Sequence, residues 1–270
     1  MNNHYSAKKV VQVLEYVWQS GKESIFFSEK RCTLCGGVFS SYVAGSSHGG
    51  QSNYFCPVCL NKLHRRDRGF CPLCGDIFAW PELPLTPCRF CIEKKPAYQG
   101  VLFYGVHEGL LRKALLQIKF FNNVAVAHAL GSLLVTHPRF SDLKVDLILP
   151  LPLHRKRLQE RGFNQSVELA RPMVAKLGAS LEVKGLERTK NTISQTGLSR
   201  KERHENTKDA FFASKRVAGK DILLVDDVMT TGATMNAAAS ALLEAGALHV
   251  YAAVMSRAPS SYFSNRRVLS

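Results

Sequence analysis

Two adjacent carboxylates followed by a hydroxyl-rich glycine turn, Asp226-Asp227-Val228-Met229-Thr230-Thr231-Gly232-Ala233-Thr234, form the densest set of chemistry-bearing residues in the chain. Thr230, Thr231 and Thr234 carry hydroxyl donors, and Gly232 permits a conformation and a close approach that a side chain would block. N–H groups at a helix start attract an anion, so a phosphate fits a turn of this kind. Asp226 and Asp227 would repel that phosphate, but carboxylates accept hydrogen bonds from vicinal sugar hydroxyls. Acids and turn together describe a site for a ribose 5-phosphate. A Walker A loop would need Gly-Lys-Ser/Thr and a dinucleotide fingerprint Gly-x-Gly-x-x-Gly, and neither string is present. The acidic pocket of a phosphorylation receiver needs a third Asp and a Lys on later strands, for which too little chain follows.

The elements around this stretch must hold it at one edge of a sheet. Ile222-Leu223-Leu224-Val225 is an aliphatic run without polar alternation, as a parallel strand covered on both faces requires. Met235-Asn236-Ala237-Ala238-Ala239 is strongly helix-forming. From Tyr104 onward helical and strand periods alternate, which predicts an α/β doubly wound parallel sheet. Leu110, Leu111, Ala114, Leu115 and Ile118 share a helical face, and a second helix is expected from Ala125 to Leu134. Val145 to Pro150 reads as a buried strand, Val167 to Leu177 as a helix, Leu181 to Leu186 as a short strand and His249 to Met255 as the last strand. The loop Leu151 to Gln165 carries Arg155, Arg157 and Arg161, whose guanidinium groups suit bidentate contacts with phosphate oxygens. Arg188 to Lys208 has no apolar periodicity, and a polar insertion of that length in a compact domain is usually functional or disordered. Residues 154–220 contain 16 basic and 7 acidic residues, so positive charge gathers where phosphates would go.

All eight cysteines stand in C-x-x-C pairs: Cys32 with Cys35, Cys56 with Cys59, Cys71 with Cys74, Cys88 with Cys91. Two thiolates at that spacing bend onto one tetrahedral ion, and two pairs complete a structural zinc site, so two Zn2+ ions are expected. Gly36 and Gly75, each directly after a pair, suit the tight turn this demands. Spacing leaves open whether consecutive pairs share an ion or the pairs interleave. Ser40 to Asn53, rich in Gly and Ser, reads as a flexible excursion. Arg65, Arg66 and Arg68 between the pairs could meet phosphates or face water.

At 270 residues, 46% hydrophobic, the chain has room for one medium α/β domain and a small module. The expected division is a helical leader at 1–30, in which Val10, Val13, Leu14 and Val17 share a face, a cysteine module at 31–97, an α/β domain at 98–258 and a tail at 259–270. No segment reads as an export signal or a membrane span, which predicts a cytoplasmic protein without membrane insertion. A net charge of +15 favours a polyanionic partner, either a phosphate-rich substrate or nucleic acid.

Val-Asp-Asp-Val-x-Thr-Thr-Gly-Ala-Thr resembles the phosphoribosyl pyrophosphate (PRPP) motif of type I phosphoribosyltransferases, whose acids hold the ribose hydroxyls and whose turn holds the 5-phosphate. Further strings narrow the resemblance to the ComF family of competence-associated proteins, also called GntX-like. These are Arg112 and Lys119-Phe120, Pro152-Leu153-His154 with Arg157 and Arg161-Gly162-Phe163-Asn164-Gln165, and Gln195-x-Gly197-Leu198-Ser199 with Arg203 and Asn206. The resemblance implies a phosphoribosyltransferase-like sheet preceded by a double zinc ribbon of consecutive pairs. It implies PRPP bound as its Mg2+ complex, pyrophosphate at the 150–165 loop, and a loop at 190–206 closing over it. Arg161, Arg200 and Arg203 would then stabilise the departing pyrophosphate. It also implies a part in DNA uptake, with single-stranded DNA and competence proteins as partners and transfer of phosphoribosyl to an acceptor. The competing expectations are a catalytically silent single-strand-binding protein, for which Phe120, Phe121 and Phe163 would be the aromatic candidates, and a zinc-ribbon scaffold. For those three rings, core packing is the simpler expectation.

Overall fold

The aliphatic run at Ile222–Val225 lies at the middle of a parallel sheet. The structure, a computed structural model, describes residues 27–42, 54–189 and 210–259. Its hairpin β1 (Phe27–Arg31) and β2 (Val38–Tyr42) is followed by two short helices, α1 (Pro57–Asn61) and α2 (Arg89–Glu93), and by the strands β3 (Val101–Val106), β4 (Leu147–Pro150), β5 (Ser180–Leu181), β6 (Leu186–Arg188), β7 (Phe211–Ala213), β8 (Asp221–Met229) and β9 (His249–Arg257). The main sheet has five strands in the order β3-β9-β8-β4-β5, all parallel, with Ile148 beside Leu223 and Leu223 beside Tyr251. Successive residues of β8 go to opposite faces. Leu223 and Val225 pack with helices α3 (Gly109–Phe121), α4 (Val124–Leu134) and α6 (Gln165–Leu177), while Ile222 and Leu224 pack with α7 (Ala233–Glu244). Helices on both faces are what a doubly wound arrangement requires.

Local sequence sets the helix ends. Helix α3 buries Leu111, Ala114, Leu115 and Ile118 and stops at Asn122, which takes the left-handed conformation that Asn tolerates. Truncating a stripe residue such as Leu115 to Ala would cost roughly 2–5 kcal/mol. Asn123 caps α4 by accepting the Val126 N–H at 3.2 Å, and Asn164 caps α6 by accepting the Ser166 N–H at 3.0 Å.

The structure departs from the sequence reading in three places that shape the site. The strand expected at Leu181 to Leu186 is two strands: β5 adds to β4 at the sheet edge, while β6 pairs antiparallel with β7 in a separate two-stranded sheet. Glu182 breaks the run by accepting the Lys184 N–H at 2.7 Å. The loop expected after β4 contains a short helix, α5 (Arg155–Arg161), begun by His154 Nδ1 accepting the Lys156 N–H and ended by Gly162 at φ 73°. Strand β3 begins at Val101, ahead of the Tyr104 from which the alternation was read, with five buried residues in succession. The leader up to residue 26, most of the Gly/Ser excursion, the 190–206 loop and the tail from 260 lie outside the described residues.

The cysteine module straddles the β3 edge. Phe55 and Leu63 of its first half join the core on the α3/α4/α6 face, while Phe70 and Ile77 of its second half join the α7 face. Between them the chain crosses the edge strand, where the Arg66 N–H donates to Tyr104 O at 2.8 Å and the Tyr104 hydroxyl donates to Leu63 O at 2.9 Å. Gly105 is needed here, since a Cβ would sit 2.5 Å from His64 O. An edge that would otherwise present unpaired backbone groups is thus covered. Arg66 is spent on this crossing, its guanidinium donating to Arg68 O, Gly69 O and Phe78 O, and Arg65 pairs with Asp67 at 2.7 Å.

Candidate PRPP-binding site

Strand β8 does not end at Val225 as its aliphatic run suggests. The ladder to β9 continues through Val228 beside Ser256 and Met229 beside Arg257, so Asp226 and Asp227 are strand residues and the turn proper is Thr230-Thr231-Gly232. Gly232 sits at φ 80°, where Gly is favoured, and a Cβ would lie 3.3 Å from the Tyr98 hydroxyl. Helix α7 starts at Ala233, and Thr231 Oγ1 accepts the Ala233 N–H at 3.3 Å.

The two acids are held differently. Asp227, 4% exposed, pairs through Oδ2 with Lys119 Nζ at 2.7 Å. Asp226 Oδ1 accepts from the Ser166 hydroxyl at 3.0 Å and from the Asp227 N–H at 2.9 Å. Burial, then the neighbouring Asp227 charge, pushes the Asp226 carboxyl up to about 7.

Both acids open onto a cavity of about 360 Å3, whose walls come from Gln165 at the start of α6 and from four other parts of the chain. Leu151 to Leu153 follow β4; Arg157 and Arg161 come from α5; Arg188 comes from β6; His107 and Lys119 come from the β3–α3 side. Val228, Thr230 and Thr234 complete it beside the acids. Arg161 Nη1 donates to Gln165 Oε1 at 3.1 Å. Arg188 lies over the Phe211 ring, 5.6 Å from its centre, and burial, then the Arg157 charge, lowers its pKa. His107 shares a 2.8 Å hydrogen bond with Ser256 Oγ, and burial, then the Lys119 charge, lowers its pKa, favouring the neutral ring. Carboxylates lie on the strand with a guanidinium cluster across from them. That arrangement can take a ligand with a diol in its middle and anionic groups at its ends.

Of the residues expected at the site, Asp226, Asp227, Val228, Thr230, Thr234 and Arg161 line this cavity. Met229 is 3% exposed and its side chain turns into the core, so it offers only backbone to a ligand. Thr231, Gly232 and Ala233 form the turn and helix start beside the cavity, and Arg200 and Arg203 lie outside the described residues. The sequence reading assigns His107 and Ser166 no role, and marks Arg188 only as the start of the polar insertion. Only Ser166 had a signal, its place directly after Asn164-Gln165; His107 and Arg188 are single residues with no spacing to mark them.

The cysteines gather as Cys32, Cys35, Cys56, Cys59 and as Cys71, Cys74, Cys88, Cys91, each with all ligand atoms within 4.8 Å of one another. Consecutive pairs therefore come together. Cys35 Sγ lies 3.8 Å from Cys56 Sγ and Cys74 Sγ lies 3.7 Å from Cys88 Sγ, against about 3.8 Å between sulfurs of a tetrahedral Zn2+ with bonds of ~2.3 Å. Cys71 is held down at about 4, chiefly by the Cys74 thiol hydrogen bond, and the same bond raises Cys74. Thiols crowded this closely cannot all ionise without a cation among them, so both sets fit a tetrahedral metal ion, with Gly36 (φ 73°) and Gly75 (φ 71°) making the turns.

Residues 164–268 match the family model described as the phosphoribosyl transferase domain, so sheet and cavity define a protein of the phosphoribosyltransferase fold. The chain is 35% identical over 204 residues to the DNA utilization protein YhgH of Escherichia coli (strain K12), covering 72% of this chain and 86% of the relative. It is 30% identical over 217 residues to competence protein F of Haemophilus influenzae, covering 72% and 93%, and 28% identical over 204 residues to competence protein ComFC of Bacillus subtilis, covering 71% and 78%. The chain belongs to the ComF family.

Proposed function

We propose that the protein binds PRPP, or a ribose 5-phosphate compound, in the cavity at the end of β8 and takes part in DNA uptake. The observation that carries the reading is the meeting of Asp226, Asp227, Thr230 and Thr234 with Arg157, Arg161 and Arg188 around one cavity. The ribose diol donates to the acids, the 5-phosphate lies against the Thr230–Thr234 turn, and the pyrophosphate lies against the arginines. Magnesium arrives with PRPP and offsets its charge. Where an acceptor is present, its lone pair forms a bond to the anomeric carbon as the bond to pyrophosphate breaks, with that electron pair leaving on the pyrophosphate oxygen and the acceptor's proton passing to solvent. Arg161, joined by Arg200 and Arg203, stabilises that charge, which is how preorganised cations lower such a barrier. Two Zn2+ ions held by the cysteine sets hold the module in shape. The names of the relatives, a DNA utilization protein and two competence proteins, support the place in DNA uptake. Calorimetric titration with PRPP and Mg2+ should give saturable binding that Asp226→Ala removes; a flat titration sinks the reading.

A second reading, binding of single-stranded DNA, is favoured by one observation. Phe120 and Phe121, expected in the core, are 72% and 79% exposed at the end of the helix that sends Lys119 to the cavity. The buried stripe of α3 ends at Ile118 and the chain turns away at Asn122, which leaves both rings in water. Exposed rings on a strongly basic protein offer the stacking surface that unpaired bases use.

A further inference from the structure

Arg257, at the end of β9, is 3% exposed, and among the described residues no carboxylate pairs with it. Its guanidinium is spent on backbone carbonyls from two separate parts of the molecule. Nε donates to Cys74 O at 3.1 Å, inside the second cysteine turn. Nη1 donates to Met229 O at 3.1 Å, to Thr230 O and to Ala258 O at 2.9 Å, at the start of the phosphate turn. Two further contacts follow the same route. The Tyr98 hydroxyl lies against Gly232 and 4.0 Å from Met229 Sδ, and the Ala97 N–H donates to Asn236 Oδ1 at 2.8 Å in the first turn of α7. Gly75, beside Cys74, leaves Arg257 its space, since a Cβ there would come 3.3 Å from Arg257 Cδ.

A buried guanidinium is retained only where its charge is compensated. Four thiolates around one Zn2+ carry about two net negative charges, and the peptide of Cys74 joins that centre directly to Arg257. No comparable bond joins the first cysteine set to the turn among the described residues; that set lies on the opposite face of the sheet, with Phe55 and Leu63. We infer that Arg257 is a positioning residue that ties the 229–232 turn to the second tetracysteine centre, so that metal at Cys71, Cys74, Cys88 and Cys91 governs how well the turn holds a phosphate. The inference rests on the reading of that turn as the phosphate site. Its physical content is that one ion orders the Cys74 carbonyl, that carbonyl orients Arg257, and Arg257 fixes the carbonyls of Met229 and Thr230.

Amide hydrogen exchange on the full-length, zinc-loaded protein tests it, with metal content counted by native mass spectrometry. Cys88→Ser, which removes a ligand from the second centre, should speed exchange over residues 228–236 by about tenfold or more while residues 124–134 keep the wild-type rate. Cys56→Ser, in the first centre, should leave 228–236 unchanged. Arg257→Lys keeps the charge and both metals, yet one ammonium cannot span the carbonyls, so it should speed exchange over 228–236 alone and weaken ribose 5-phosphate binding about tenfold. Wild-type exchange over 228–236 in Arg257→Lys overturns the inference, whatever Cys88→Ser does. Equal acceleration by Cys56→Ser overturns it as well. Should wild-type protein take up no ribose 5-phosphate while the exchange pattern holds, the phosphate reading falls and the tie between metal and turn stands.

Discussion

Lys119 Nζ lies 2.7 Å from Asp227 Oδ2, so a helix on one face of the sheet holds one of the two acids at the end of its central strand. Lys119→Met would leave Asp227, 5% exposed at its side chain, without its cation. Removing one partner of a fully buried pair costs roughly 3–5 kcal/mol. Because 24% of the lysine side chain meets water, we expect a smaller loss of roughly 2–3 kcal/mol. Urea denaturation measures it, and the double variant Lys119→Met/Asp227→Asn should recover most of the loss. No recovery would mean that the pair is not coupled.

Asp226 sets a pH dependence. Its carboxyl is pushed up to about 7 in the folded chain from an ordinary 3.8. Between those values the folded state keeps a proton that the unfolded chain releases, so on this account stability falls as pH rises from about 4 to about 7 and is level beyond. Asp226→Asn should flatten that slope in thermal melts and raise stability at pH 8. Ribose 5-phosphate binding should tighten as pH rises through 7, when Asp226 becomes a full acceptor, and Asp226→Asn should lose that part of the profile. An unchanged slope in the variant would refute the assignment.

The arginines should discriminate ligands. Arg157→Ala removes a cavity guanidinium that forms no ion pair among the described residues, and it should weaken PRPP by roughly 10–100-fold, as expected for a charged hydrogen bond worth ~1.5–3 kcal/mol. Ribose 5-phosphate, which lacks the pyrophosphate, should bind as before. Equal weakening of both ligands would place Arg157 at the 5-phosphate instead.

Phe120→Ser/Phe121→Ser should leave the melting temperature unchanged, since both rings are exposed. Single-stranded DNA affinity should fall by ~1–3 kcal/mol for each lost stack. In the wild type, affinity should drop steeply with added salt, because phosphate contacts release counterions. A gel-shift series across salt concentrations reads both effects, and wild-type affinity in the double variant would remove the rings from the interface.

Some of this site was readable because residue type alone carried the chemistry: Asp226-Asp227 with the threonine turn, and the C-x-x-C pairs, declare themselves without a fold. The run of β8 through Asp226 to Met229 did not, since acids break an aliphatic pattern and only the ladder to β9 keeps them extended. His107 and Arg188 reach the cavity through β3 and through the β6–β7 pair, and tertiary placement of that kind leaves no local mark. Phe120 and Phe121 misled for the opposite reason. They follow the apolar helix face directly in sequence, but Phe120 falls two residues past Ile118, on the far side of the helix, and Phe121 is its last residue before the turn at Asn122.

The crossing of Leu63 to Phe70 over the β3 rim makes the described part of the cysteine module a saddle rather than a detachable tag. Cutting it away at residue 97 would bare apolar skin on both sides of the sheet and free a raw strand border at once. Such a remnant would seek partners through that border and precipitate, so the cavity has to be studied with its cysteine-bearing girth still fastened.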